Sequence, residues 1–153
     1  MLTPAATLQP QPRPLAFVTD ELAALRVFVA DDHALYRQVI TRAVDRHPGL
    51  VLAGEAADGE DAATMTLAAQ PDVALLDLRM PGLDGIEACH RIRSIDPDIA
   101  VVILTAFDDD DTPFRALAAG ASACLGKDAS ETEICAAVLH AGDTARPPAP
   151  SAA

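Results

Sequence analysis

Positive charge, aromatic rings and long apolar runs are all scarce in this chain. Eleven Lys and Arg stand against 23 Asp and Glu, for a formal net charge of -12. That balance leaves no broad basic face for nucleic acid or an anionic membrane, both of which need Lys and Arg to meet phosphates. There is no Trp, with one Tyr and four Phe in 153 residues, so the core has to be built from Val, Ile, Leu and Ala. Such a core suits parallel strands buried beneath helices. The three cysteines, Cys89, Cys124 and Cys135, are scattered without a C-x-x-C pair. They read as small buried hydrophobes in a reducing compartment, not as a disulfide framework or a zinc site. No apolar run approaches the roughly 20 residues of a membrane helix. The opening MLTPAATLQPQPRPLAF lacks the apolar stretch of a signal peptide. A cytoplasmic protein is expected.

Half of the residues are hydrophobic, which supports one full core rather than disorder. Residues 1–24 carry Pro4, Pro10, Pro12 and Pro14 and no sustained period, which predicts a flexible Pro-rich arm. Residues 143–153, ending RPPAPSAA, read as a Pro/Ala-rich tail or truncated linker. Between them, residues 25–142 alternate two patterns. LRVFVA (25–30), LVLAGEA (50–56), DVALLDL (72–78), IAVVILTA (99–106) and ASACLG (121–126) are short apolar runs expected as strands. Helical spacing follows each of them: Leu35, Val39, Ile40 and Val44 within 34–46, an Ala-rich stretch after Asp58-Gly59, and a stretch to Ile95 after Asp84-Gly85. A further helix opens at the Asp108–Asp111 run and Thr112-Pro113, and closes at Gly120. Ser130 and Glu133 have capping-box spacing for a last helix to about Ala141. Five strand–helix alternations predict a doubly wound α/β domain with a parallel sheet covered on both faces.

Ligands of an open parallel sheet collect at the carboxyl ends of its strands. Strand one ends in Asp31 and Asp32, strand three in Asp77 and strand four in Thr105, while Lys127 follows strand five. Three carboxylates brought together repel one another unless a cation neutralises them. Oxygen ligands without His or Cys favour Mg²⁺ over zinc. Lys127 and Thr105 supply a charge and a hydroxyl for phosphoryl oxygens, and Asp77 is a carboxylate nucleophile able to form an acyl phosphate. Taken singly, each has a plainer role: Asp31 or Asp32 as a helix N-cap, Thr105 as a strand-end hydroxyl, Lys127 as a solvated charge. The run 108–111 reads as a solvated loop and cap, and His33 as a first-turn residue on the rim, not a ligand.

The segments VFVADDHALYRQVI, VALLDLRMPGLDGIEACHRIR, VVILTAFDDDD and ALAAGASACLGKDAS resemble the receiver (CheY-like) domains of two-component response regulators. They are closest to those whose output is a LuxR/NarL-type helix-turn-helix. The resemblance covers about residues 25–141 and implies a flavodoxin-like (βα)5 sandwich with strand order 2-1-3-4-5. It implies that Asp77 is the phosphoacceptor, that Asp32 ligates Mg²⁺ directly, Asp31 mostly through water and Arg79 through its backbone carbonyl. Thr105 would hydrogen-bond the phosphoryl group, Lys127 would pair with it, and the small Ala106 would leave it room and offer a backbone N–H. A sensor histidine kinase is the implied donor, and a homodimer or a downstream output protein the implied reader of the switched surface.

Two departures stand out. Receivers usually carry Tyr or Phe three residues before the lysine; here that switch position holds Cys124, which cannot fill the same volume. Intact phosphoacceptor chemistry with altered coupling to the surface of the fourth helix, fifth strand and fifth helix is therefore expected. In the related regulators a linker leads to a DNA-binding domain; here TARPPAPSAA closes the sequence, as in a stand-alone receiver or a fragment. In neither case is the chain expected to bind DNA by itself. The competing reading is a phosphorylation-independent interaction module on the same fold, motivated by Cys124. A phosphohydrolase resembling haloacid dehalogenases would need a second Asp two residues after the nucleophile, where this chain has Arg79.

Overall fold

The computed structural model describes residues 24–106 and 110–145. The expected N-terminal arm up to residue 23, the acidic residues 108 and 109, and the tail from residue 146 lie outside the described residues. Ten elements alternate along the chain: β1 (Leu25–Ala30), α1 (Ala34–Arg46), β2 (Leu50–Ala56), α2 (Gly59–Ala69), β3 (Val73–Asp77), α3 (Gly85–Ile95), β4 (Ala100–Thr105), α4 (Asp111–Ala118), β5 (Ala123–Gly126) and α5 (Glu131–Ala145). The five strands form one parallel sheet in the order β2-β1-β3-β4-β5, the flavodoxin-like arrangement implied by the family resemblance.

The two-residue alternation of a strand divides the core into two layers. Val73 and Leu75 of β3, Val102 and Leu104 of β4 and Val27 and Val29 of β1 pack under α1 and α5, against Ile40, Val44, Ile134 and Val138. Ala74, Leu76, Val101, Ile103 and Phe28 face α2, α3 and α4, against Ala62, Ala63, Ala88, Ile92 and Ala116. Every residue of β3 and β4 is buried, as a strand covered on both faces requires. The scarcity of aromatics explains the Ala-lined helix faces: among the described residues Phe28, only 1% exposed, is the one fully buried ring. It stands opposite Gly54 after a bulge in the β1–β2 register. A Cβ at Gly54 would come within 2.9 Å of that ring, so the glycine makes room for it.

Helix starts follow local chemistry. Asp58 and Asp84 cap α2 and α3 with their carboxylates, and Asp84 and Glu87 complete a capping box. Ser130 and Glu133 exchange the same two bonds at α5, 2.8 and 3.0 Å. Three details depart from expectation. The N-cap of α1 is His33, whose Nδ1 accepts from the Tyr36 N–H at 3.4 Å; Asp31 instead accepts from the His33 N–H at 2.7 Å. Asp110, at the N-cap of α4, makes no side-chain capping bond, because its backbone is already helical. Helix α5 runs to Ala145 rather than about Ala141. The buried Gly142 lets the helix pass close to Leu25, where a Cβ would collide with the Leu25 side chain, so here glycine permits close packing instead of ending the helix.

Candidate functional site

The carboxyl ends of β1, β3, β4 and β5 meet at one edge of the sheet, and the expected residues arrive there on different elements. Asp31 follows β1 and is buried, Asp32 beside it is exposed, and Asp77 closes β3 with 5% exposure. Carboxylate oxygens of all three lie within 4.8 Å of one another. Lys127, just past β5, reaches into this group, its Nζ 2.7 Å from Asp31 Oδ2 and 3.2 Å from Asp77 Oδ1. Its own backbone N–H donates to the Thr105 carbonyl at 2.8 Å, extending the β4–β5 ladder and fixing where the side chain starts.

Thr105 is buried at the end of β4, one residue past Leu104, the register partner of Asp77. It continues the parity of Val101 and Ile103, and so belongs to the α4 side of the sheet. Cys124 pairs with Ile103, is half-buried, and packs against the core layer on that side. Its thiol is pushed up by burial and behaves as a small hydrophobe. Arg79 is exposed, and its backbone N–H donates to the Asp77 carboxylate. Ala106 is exposed at the rim. Asp31, Asp32, Asp77, Arg79, Thr105, Ala106 and Lys127 therefore lie at this edge, whereas Cys124 lies further back on β5 beside Ile103. Thr105 and Cys124 are on the face opposite α1 and α5.

Burial pushes the Asp77 carboxyl up to about 6, and the neighbouring Asp31 charge adds to the rise. The Lys127 ammonium and the Arg79 N–H work the other way without cancelling it. A carboxylate in that state is under-neutralised: one ammonium faces both Asp31 and Asp77, with Asp32 close by. The set accommodates a hard divalent cation, because three carboxylate oxygens converge with no soft ligand among them.

One contributor escaped the sequence reading. Tyr36, the only tyrosine of the chain, lies on the first turn of α1 with its ring centroid 4.5 Å from Lys127 Nζ. Burial together with the charges of Asp31, Asp77 and Asp128 pushes its hydroxyl up to about 12. The hydroxyl oxygen is shielded from solvent and has no hydrogen-bond partner. The sequence signal was a lone aromatic four residues after Asp32, one helical turn above the acidic pair.

The loop between β3 and α3 is held close beneath the pocket. The Gly85 N–H donates to the Leu78 carbonyl at 2.7 Å, and a Cβ at Gly85 would collide with the backbone carbonyl of Asp77. Gly82 turns the loop with φ 83°, a conformation that favours glycine.

Fold and pocket together define a doubly wound α/β domain with an acidic, cation-ready site at the carboxyl edge of its sheet. A family model described as the response regulator receiver domain matches residues 27–139, and the chain belongs to that family. It is 42% identical over 115 residues to the transcriptional regulatory protein NarL of Mycobacterium tuberculosis (strain CDC 1551 / Oshkosh), covering 75% of this chain and 53% of that protein. It is 39% identical over 114 residues to the response regulator GacA of Pseudomonas aeruginosa, covering 74% and 53%. The solved receiver domain of Mycobacterium tuberculosis NarL superposes with a TM-score of 0.76 at 40% identity, over 78% of this chain and 97% of that one. A LuxR-family response regulator from Aurantimonas sp. SI85-9A1 gives 0.75 at 31% identity, over 83% and 91%. The chain spans about half the length of the curated relatives it matches. Among the described residues no helix is long and apolar enough to cross a membrane.

Proposed function

We propose that this chain is a phosphorylation switch of a two-component system, taking a phosphoryl group from a sensor histidine kinase onto Asp77. The observation that carries this reading is the convergence of Asp31, Asp32 and Asp77 with Lys127 at the sheet edge, 2.7 and 3.2 Å from two of the carboxylates. In the transfer, a carboxylate oxygen of Asp77 forms the new O–P bond while the N–P bond to the donor imidazole breaks. The imidazole keeps the electron pair and takes up a proton. Lys127 pairs with the negative phosphoryl oxygens, and Thr105 donates its hydroxyl to another. The backbone N–H of Ala106, which has no bulky side chain, is a third donor.

Asp31, Asp32 and Asp77, with the Arg79 carbonyl, would hold Mg²⁺, which when bound supplies charge neutralisation and polarisation of the phosphoryl group. Asp32, exposed at the mouth, would be a direct ligand, and Asp31, engaged by Lys127 and the His33 N–H, would act mostly through water. The protein catalyses only its own phosphorylation and the later hydrolysis, and is not an enzyme acting on an external substrate. The switched surface meets a second copy or a downstream output protein in the cytoplasm. It regulates transcription if the chain is part of a longer regulator, and these residues alone, at net charge -12, do not hold DNA phosphates.

The test is incubation with acetyl phosphate and Mg²⁺, followed by intact mass spectrometry. A single phosphoryl adduct that requires Mg²⁺ and vanishes in Asp77→Asn is expected. Folded protein that takes no adduct would overturn the reading in favour of a phosphorylation-independent interaction module.

A further inference from the structure

Lysine is a flexible point charge that loses much rotamer freedom when fixed, yet Lys127 is held at both ends. Its backbone is tied to Thr105, and its ammonium to Asp31 and Asp77. The two carboxylate contacts use oxygens of Asp31 and Asp77, two of the three carboxylates a divalent cation would draw on, so they do not by themselves guarantee the ammonium's place in a loaded site. The third contact does not compete for those oxygens: the face of the Tyr36 ring, 4.5 Å from Nζ. A cation this close to an aromatic face is attracted by the ring quadrupole, the more so when partly desolvated, and the Lys127 side chain is only 18% exposed. The Tyr36 hydroxyl is buried without a partner, so the ring, not the hydroxyl, makes the useful contact.

We propose that Tyr36 is a positioning residue for Lys127, its ring holding the ammonium beside Asp77 where the incoming phosphoryl group must be met. The inference rests on the function proposed above and deepens it. A purely packing role would be met by any apolar side chain of similar size, whereas this role requires an aromatic face. Leu at position 36 keeps the apolar contact with the α1–α5 core layer and removes the quadrupole. Phe keeps both and removes only the unpartnered hydroxyl.

The test has two readouts. In NMR spectra of the metal-free wild type, the ε-methylene protons of Lys127 are shifted upfield by the ring; the shift persists in Tyr36→Phe and disappears in Tyr36→Leu. In the acetyl phosphate reaction with Mg²⁺, Tyr36→Phe matches wild type within about twofold and Tyr36→Leu is about tenfold slower, a change within the cation–π range. Unshifted Lys127 protons in the wild type overturn the inference, and so do equal rates in wild type and Tyr36→Leu, which leave the proposed function standing. A wild type that accepts no phosphoryl group overturns both. Should Tyr36→Leu not fold, Tyr36→Met takes its place with the same expected loss.

Discussion

Replacing Asp77 by Asn stabilises the metal-free protein. Asp77 titrates near 3.8 when unperturbed and at about 6 in the fold. At about 1.4 kcal/mol per pH unit, the difference makes ionising this buried carboxyl cost about 3 kcal/mol at neutral pH. Because the folded value is raised, the stabilising contribution is full below 3.8 and is lost as pH rises through 6. The isosteric neutral amide carries no such cost. The variant should therefore exceed wild type by 2–3 kcal/mol at pH 7.5 in EDTA, and by about half that at pH 5, where folded Asp77 is largely protonated. Urea denaturation at the two pH values measures both numbers. Saturating Mg²⁺ narrows the gap, since the wild type offers the cation one carboxylate more than the variant, and a ligand bound to the folded state at a hundred times its Kd adds about 2.7 kcal/mol. If Asp77→Asn were unchanged or destabilised in EDTA at pH 7.5, the picture of an under-neutralised acidic pocket would be wrong.

Other expectations concern the frame around the pocket. Gly85→Ala drives a methyl into the Asp77 carbonyl and should cost about 1–3 kcal/mol; an unchanged urea midpoint would contradict it. Ser130→Ala removes half of the capping box of α5, and a loss of about 1 kcal/mol is expected with the acetyl phosphate reaction intact. Cys124→Tyr should leave the phosphorylation rate near wild type while changing phosphorylation-dependent association, read by sedimentation velocity with and without acetyl phosphate. Unchanged association would show that this position does not govern the coupling.

The fold was legible because its strands are short, mainly apolar runs and each is followed by a helical period. Parallel pairing then brings strand ends that are distant in sequence to one edge, so Asp31, Asp77 and Lys127 could be matched by position alone. What escaped depends on side-chain reach across elements. The contact of Tyr36 with Lys127 joins α1 to the end of β5, and a lone aromatic one turn after the acidic pair does not by itself say which residue it will meet. The cap of α1 passed to His33 because Asp31 turns inward to Lys127, a competition that exists only once the sheet has formed. The length of α5 turned on Gly142, whose close approach to Leu25 is tertiary and outweighs the tendency of glycine to end helices.

Reductive trapping tests the central claim most directly. Borohydride reduces an acyl phosphate of aspartate to homoserine while leaving a free carboxylate untouched. After reaction with acetyl phosphate and Mg²⁺, peptide sequencing by mass spectrometry should find homoserine at position 77. Homoserine at position 31 or 32, or at no position in folded protein, would contradict the assignment of Asp77 as the phosphoacceptor.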